Sequence, residues 1–438
     1  MKINRIIAAV LSLCMVGGAF TFNSTAVRDY SITADAAGEC YTFNSTTGVL
    51  TLRGNVVLEE ITEFDRKEAV KSIKAAEGTV FPGRCNELFE DYSNCISIDL
   101  KNADTSEVYN MGHMFEGCSS LTSLDLSSFN TSEVYDMWYM FKGCSSLTSL
   151  DLSSFNISKV GNMSSMFEGC SSLTSLDISS FNTCNVYDTC YMFKGCSSLT
   201  SLDLSNFKTK EACNTSSMFY GCSSLTSLVL GDISAKDSAS FMFYGCSSLT
   251  SLDFGLFGTT NLVHNIDYMF AGCSSLTSLD LSMIGGDTIE SAYELFSDCT
   301  SLSELTLGKN FGDIAVGHKL PNGKGWVNTN DPSTIISGSG EYAAFTNDGK
   351  NTYVQFATSL NKKGDINGDS VIDGTDATLA LKEYASLGQG ISTLTAAQTA
   401  AADVNGSGNV DGSDATMILR YYALAGGGVT PDWDHIFD

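Results

Sequence analysis

Met114-Phe115-Glu116-Gly117-Cys118-Ser119-Ser120-Leu121-Thr122-Ser123-Leu124-Asp125-Leu126-Ser127-Ser128-Phe129-Asn130 decides the fold, because the chain repeats it. Its cysteine returns at 144, 170, 196, 222, 246, 273 and 299, in steps of 26, 26, 26, 26, 24, 27 and 26. A fixed period of this size means a solenoid, in which each turn buries its apolar face only against its neighbours. Leu121, Leu124 and Leu126 keep the L-x-x-L-x-L spacing of a leucine-rich repeat, one short strand per turn with alternate side chains inward. Ser123 and Asp125 then face outward. Val134, Met137, Met140 and Phe141 follow at helix-like spacing and predict short helical segments on the convex side. Pro82, Pro321, Pro332 and Pro431 all lie outside the repeats, as stacked rungs that use every backbone donor require.

The cysteine column precedes each strand at a constant offset, where a small buried thiol with a weak S–H donor suits a tight turn. Cross-rung disulfides compete with that reading. Rungs about 4.8 Å apart fall within the ~4.4 to 6.8 Å Cα range of a disulfide, although parallel side chains do not converge. Of the off-column residues Cys40, Cys85, Cys95, Cys184, Cys190 and Cys213, the last three lie on adjacent turns and are the candidates for pairing.

Among 438 residues, 50 are acidic and 24 are Lys or Arg, a formal net charge of −26 that excludes a phosphate-backbone binder. A hydrophobic share of 43% suffices for a packed core. Outward Asp recurs at 99, 125, 151, 177 and 203, yields to Val229, and resumes at 253 and 280. Neighbours one rung apart repel by roughly 0.9 kcal/mol in bulk water, so the column needs relief from flanking Ser, a cation or a basic partner. A second column, Glu116, Lys142, Glu168 and Lys194, alternates in sign. Tyr135, Trp138, Tyr139, Tyr187 and Tyr191 read either as convex-layer packing or as a sugar-stacking patch. His113, His264, His318 and His435 are scattered without metal-ligand spacing.

Lys2 and Arg5 before the apolar run 6–20, with Ala34-Asp35-Ala36 after it, predict a secretory signal peptide over residues 1–36. The mature chain is then extracellular and not membrane-spanning. The repeated phrase, with Cys40-Tyr-Thr-Phe-Asn-Ser-Thr-Thr-Gly-Val-Leu-Thr-Leu before it and Gly340-Glu-Tyr-Ala-Ala-Phe-Thr after it, resembles the BspA-like family of bacterial surface leucine-rich repeats. That resemblance implies surface display and protein or cell contact, without catalytic machinery.

A different duplication follows. Asp365-Ile-Asn-Gly-Asp-Ser-Val-Ile-Asp-Gly-Thr-Asp376 and Asp403-Val-Asn-Gly-Ser-Gly-Asn-Val-Asp-Gly-Ser-Asp414 are 12-residue loops 38 residues apart. Oxygen side chains at positions 1, 3, 5, 9 and 12, with a carbonyl at 7, form the ligand set of a calcium loop. The ligands are Asp365, Asn367, Asp369, Val371 (carbonyl), Asp373 and Asp376, then Asp403, Asn405, Ser407, Asn409 (carbonyl), Asp411 and Asp414, for two ions. Ser407 replaces a carboxylate, which predicts weaker binding at the second loop. Helices are expected at 377–385, 395–402 and 415–424. A loop-helix unit, duplicated and ending in Asp, resembles a dockerin, the calcium-folded module that binds a cohesin of a cellulosome scaffoldin. The resemblance implies partner contacts at Thr375, Leu381 and Lys382 and at Ser413, Leu419 and Arg420; core packing is the competing reading for the two leucines.

The organisation expected is a signal peptide (1–36), an N-terminal cap (37–95), about nine leucine-rich rungs (96–310), a C-terminal cap and linker (311–361) and a small all-α dockerin (362–438). No catalytic constellation is legible. The leading reading is a secreted, non-catalytic, cellulosome-attached or surface-associated protein whose solenoid recognises a protein, cell surface or polysaccharide. A cellulosomal enzyme or enzyme regulator in polysaccharide degradation is the alternative.

Overall fold

The computed structural model describes residues 40–438 except 210–213, 234, 236–237, 255–262, 285–288, 310, 357–362, 368–370, 389–392, 395, 428–430, 432 and 434–438. The expected signal peptide, Cys213, Asp369 and His435 therefore lie outside the described residues.

The chain winds into the leucine-rich solenoid that its period predicts. Tyr41–Asn44 and Val49–Leu52 form an antiparallel hairpin. From its second strand the sheet runs parallel through Ser72–Ala75, Ser97–Asp99 and Ser123–Asp125, so Leu50, Ile73, Ile98 and Leu124 share one inward column. Ser201–Asp203 pairs with Ser227–Val229, and Ser278–Leu281 with Glu304–Leu307, again in parallel. Asn351–Gln355 then pairs antiparallel with Glu304–Leu307 and carries Trp326–Asn328 on its other side, followed by Asp331–Ile335. These antiparallel strands cover an edge that would otherwise invite pairing with another chain.

The opposite wall stitches the rungs together without a break from Arg84 to Asn214, through bridges at Asn110, Asp136, Asn162 and Asp188. The N–H groups of Met111, His113, Phe115 and Gly117 donate to the carbonyls of Asp136, Trp138, Met140 and Lys142 one rung on, at 2.8–3.0 Å. Intervening amides turn back inside the rung, as Glu116 does to His113 at 3.0 Å. The helical convex segments expected from the Met and Phe spacing are therefore successive turns. His113 and Gly117 sit at φ 57° and 74°, and Tyr139 and Gly143 at 59° and 74°. Left-handed residues recurring this often cannot belong to a right-handed helix. Glycine holds this position before seven of the eight column cysteines because it adopts positive φ without steric penalty, and Asp298 takes it at 60° before the last.

Between the two walls, Phe115, Phe141, Phe167, Phe193 and Phe219 are fully buried and stack 5.6–5.7 Å apart with planes within 9°. Each column thiol donates to the phenylalanine carbonyl of the preceding rung, Cys144 to Phe115 and Cys170 to Phe141 at 3.2 Å, Cys222 to Phe193 at 3.1 Å. The constant offset of the column thus serves a hydrogen bond, and among the described residues no disulfide forms. Burial raises these thiols, pushing Cys170, Cys222 and Cys273 up to about 12.

A second buried ladder joins threonine hydroxyls to the next rung. Thr131 is 1% exposed; its Oγ1 accepts the Asn156 N–H at 2.7 Å and donates to the Asn156 carbonyl at 3.0 Å. Thr131→Val keeps the shape and strands both backbone groups, so it is expected to cost about 1–3 kcal/mol, read as a lower urea midpoint. An unchanged midpoint would show that Asn156 finds other partners.

Candidate calcium loops and partner-facing helices

Both loops end inside the first turn of a helix. Helix α1 lies in the N-terminal region (Leu58–Thr62), and α2 (Gly374–Leu387), α3 (Ala396–Ala402) and α4 (Gly412–Gly426) form the C-terminal module. Helices α2 and α4 begin three residues before their expected starts because loop residues cap them. Asp373 accepts the Thr375 N–H at 2.7 Å while Asp376 accepts the Asp373 N–H at 2.9 Å, a reciprocal capping box. Asp411, Ser413 and Asp414 repeat it at 2.7 and 2.9 Å.

The last carboxylate also closes each loop. Asp376, wholly buried, accepts the N–H groups of Ile366 and Asn367 at 2.7 and 3.0 Å. Asp414, equally buried, accepts Asn405 N–H at 3.2 Å. Side-chain amides tie position 3 to position 11 in both copies, Asn367 to Thr375 at 3.1 Å and Asn405 to Ser413 at 2.7 Å. In the second loop, Asp403 accepts from Ser407 and Gly408 backbone at 2.9 and 2.8 Å, with Gly406 and Gly408 at positive φ.

The described oxygen donors are thus gathered around each loop, Asp369 lying outside the described residues. In the first, Asp365 and Asp376 are buried, Asp373 half-buried, and Asn367 and Val371 exposed. In the second, Asp414 is buried, Asp403 and Asp411 are half-buried, and Asn405, Ser407 and Asn409 are exposed. Burial pushes the Asp414 carboxyl above its ordinary value, and the nearby Asp403 and Asp411 carboxylates add to the rise. Hydrogen bonds from Thr375 and Ser413 hold Asp373 and Asp411 below theirs. A buried carboxylate crowded by like charges, in an all-oxygen donor set, fits a hard divalent cation.

Leu381 and Leu419 are 47% and 46% exposed, so the core-packing reading of these leucines fails. The core between α2 and α4 is made instead by Ile366, Ala377, Ala380, Val404, Ala415, Met417 and Ile418. Lys382, Arg420, Thr375 and Ser413 are exposed as well. The sequence reading missed Tyr384 and Tyr422, 53% and 48% exposed and separated by the same 38 residues as the Leu-basic pairs. The duplication offset was the signal that would have found them. Trp433 stacks on Tyr421 at 4.4 Å, and a Cβ on Gly364 would collide with its ring.

A family model described as "Mycoplasma protein of unknown function, DUF285" matches residues 84–176, 151–253 and 232–311, together more than half of the chain. The chain belongs to this family. A second model, the dockerin type I domain, matches residues 363–422. Solved structures similar to the chain include a leucine-rich repeat protein of T. pallidum, 16% identical, spanning 54% of this chain and 86% of that one at a TM-score of 0.28. A leucine-rich cell surface protein of Faecalibacterium prausnitzii A2-165 is 14% identical over 60% and 92% of the two chains at 0.22. A leucine-rich repeat protein of Eubacterium ventriosum is 14% identical over 53% and 92% at 0.19. None of the curated proteins matches the chain.

On the DUF285 array the outward Asp column finds its relief within the chain. Asp125 accepts both the N–H and the hydroxyl of Ser127, at 3.0 and 2.7 Å, and Asp151, Asp177 and Asp203 accept the N–H of Ser153, Ser179 and Ser205 at 2.8–3.0 Å. These bonds hold the carboxyls below their usual range. The alternating column forms its ion pairs, Lys142 to Glu116 at 3.1 Å and Lys194 to Glu168 at 3.0 Å. Tyr135, Trp138, Tyr187 and Tyr191 project at least a third exposed, while Tyr139 is half-buried beneath Lys142. Among the described residues no helix is long and apolar enough to cross a membrane.

Proposed function

We propose that the chain is a secreted, non-catalytic binding protein whose C-terminal module docks on a cohesin of a cellulosome scaffoldin, while the DUF285 array recognises a protein, cell-surface or polysaccharide ligand. The observation that carries this reading is the repetition, 38 residues apart, of an exposed Leu-basic-x-Tyr patch beside each capped acidic loop: Leu381, Lys382 and Tyr384, then Leu419, Arg420 and Tyr422. Two calcium ions would be held by Asp365, Asn367, Asp369, Asp373, Asp376 and the Val371 carbonyl, and by Asp403, Asn405, Ser407, Asp411, Asp414 and the Asn409 carbonyl. When bound, calcium supplies the positive centre that lets several carboxylates converge on one loop. The chain's own residues do the rest: the caps fix the helix starts, and the helices set the two patches outward. The proposed division is a leader through residue 36, caps on either side of rungs 96–310, and a docking module from 362.

Each patch carries an apolar anchor, a cation and an aromatic ring, the residue types that concentrate binding energy at interfaces. Because the patches match, either half is expected to serve alone. The test is capture of the full chain by immobilised cohesins in calcium. Leu381→Ala with Lys382→Ala, or Leu419→Ala with Arg420→Ala, should weaken capture by about threefold or less. All four together should weaken it roughly a hundredfold or more, as two lost anchors and two lost cations imply. Full capture by the quadruple variant would overturn the assignment of the docking face.

A further inference from the structure

Near the N-terminal end of the array, the alternation of charge breaks. From Glu116 onward, each member of the column faces an opposite charge: Lys142, then Glu168, then Lys194. Glu90 stands one rung before Glu116, where the alternation calls for a cation, and it repeats the negative sign. Between them projects His113, whose ring stacks on Tyr139 at 4.8 Å and meets Trp138 edge-on at 4.4 Å. One ring nitrogen of His113 and one carboxylate oxygen each of Glu90 and Glu116 lie within 4.8 Å of one another. All three side chains are half-buried, with His113 and Glu116 each 19% exposed.

We propose that Glu90, His113 and Glu116 form a binding site for a divalent transition metal of the zinc class. One imidazole and two carboxylates make a three-ligand set that leaves coordination positions for water. Other rungs provide an internal comparison. The equivalent trios are Glu116, Tyr139 and Lys142, then Lys142, Ser165 and Glu168, then Glu168, Tyr191 and Lys194; each contains a lysine and none contains histidine. Among the described residues, the trio of Glu90, His113 and Glu116 is the one that brings three such ligands together, and the lysine that pairs with it stands outside the trio. Lys142 approaches Glu116 through Oε1, and His113 contacts Oε2, so the lysine engages the oxygen on the other side of the carboxylate. Burial raises the Glu90 carboxyl, and the negative charges of Glu87, Asp91 and Glu116 add to the rise while His113 opposes it. Asp136 interacts with His113 and Lys142 with Glu116, and the Lys67 ammonium donates to the Glu90 carbonyl at 2.8 Å. The ring faces of Tyr139 and Trp138 fix the imidazole much as outer hydrogen bonds orient a metal ligand. The competing reading is the direct His113–Glu116 contact alone, with no ion between the three side chains.

The test uses the full chain with calcium in excess, so that the oxygen-only loops are filled, and with accessible thiols capped by iodoacetamide. Equilibrium dialysis against Zn2+, read as metal per chain, should give one more zinc for the parent than for Glu90→Gln or His113→Asn. Each variant should weaken uptake by roughly tenfold or more, at least the effect of losing an outer-shell partner. Asn tolerates left-handed backbone, so His113→Asn is chosen to keep the turn, and circular dichroism checks it. If it unfolds, Glu90→Gln decides the matter, together with the visible absorption of Co2+ bound to the parent. Equal zinc in parent and variants, or no zinc above the calcium-loaded baseline in the parent, would sink the proposal and leave the His113–Glu116 contact without a metal.

Discussion

Taking the chain from pH 8 to pH 10 is expected to unfold the repeat array. Eight column thiols are buried and hydrogen-bonded to carbonyls of the preceding rung, and burial raises all of them. A thiol near 12 when folded and near 9 when unfolded keeps its proton in the native state and releases it on unfolding. Stability from this source is complete below about pH 9 and is lost as pH climbs toward the folded value. At pH 10 the loss is on the order of 1 kcal/mol for each of these three thiols, Cys170, Cys222 and Cys273. The other five are raised in the same direction, so the summed loss approaches the scale of a typical domain's whole stability, about 5–15 kcal/mol. Unfolded tyrosines begin to titrate only near ~10 and add little before that point. Urea midpoints at pH 8, 9 and 10 give the readout. Cys170→Ser and Cys222→Ser retain a donor for the Phe141 and Phe193 carbonyls but do not titrate, so each should remove about one proton from the pH slope. A midpoint that stays flat across this range would contradict the account.

The columns of the array were legible because a fixed period turns one residue's environment into eight copies of it. Leu121, Phe115, Cys118 and Asp125 each behave as their spacing predicts. The convex wall was not legible, because Met137, Met140 and Phe141 satisfy a helical period and a turn wall equally well. What separates the two is the sign of φ at His113, Tyr139, Ser165 and Tyr191, and those residue types carry no sequence signal for it. His113 reads in the sequence as one of four scattered histidines for a related reason: Glu90, which converges on it, lies one rung earlier, a neighbour through the solenoid and not through the chain. In the C-terminal module the loops announced themselves through oxygen side chains at fixed positions. Tyr384 and Tyr422 did not, because a tyrosine on a helix reads as core until its neighbours Ala380 and Met417 are seen to fill the core.

Chelating calcium is expected to unfold the C-terminal module and leave the array intact. The two units depend on different terms. The array buries continuous columns of Phe, Leu, Met and Cys. The module's core consists of Ile366, Val404, Val410, Met417, Ile418 and four alanines, little apolar surface for a unit that must also bury Asp376 and Asp414. A domain of this size draws only about 3–5 kcal/mol from its core. A cation at a thousand times its dissociation constant adds about 4 kcal/mol per site, so the two proposed sites together would exceed everything else that holds the module together. Thermal scans of the full chain should show two transitions in calcium, and EDTA should abolish one along with the helical signal of α2 and α4. Retention of both transitions in EDTA would mean that the capping boxes and the Trp433 contact suffice without metal. Asp376→Asn and Asp414→Asn separate the halves. The second loop offers one carboxylate fewer, so Asp414→Asn should delete the weaker binding step and Asp376→Asn the tighter one in a calcium titration. Reversal of that order would show that carboxylate count does not set the affinity difference between the loops, since the closing carboxylate is equally buried in both.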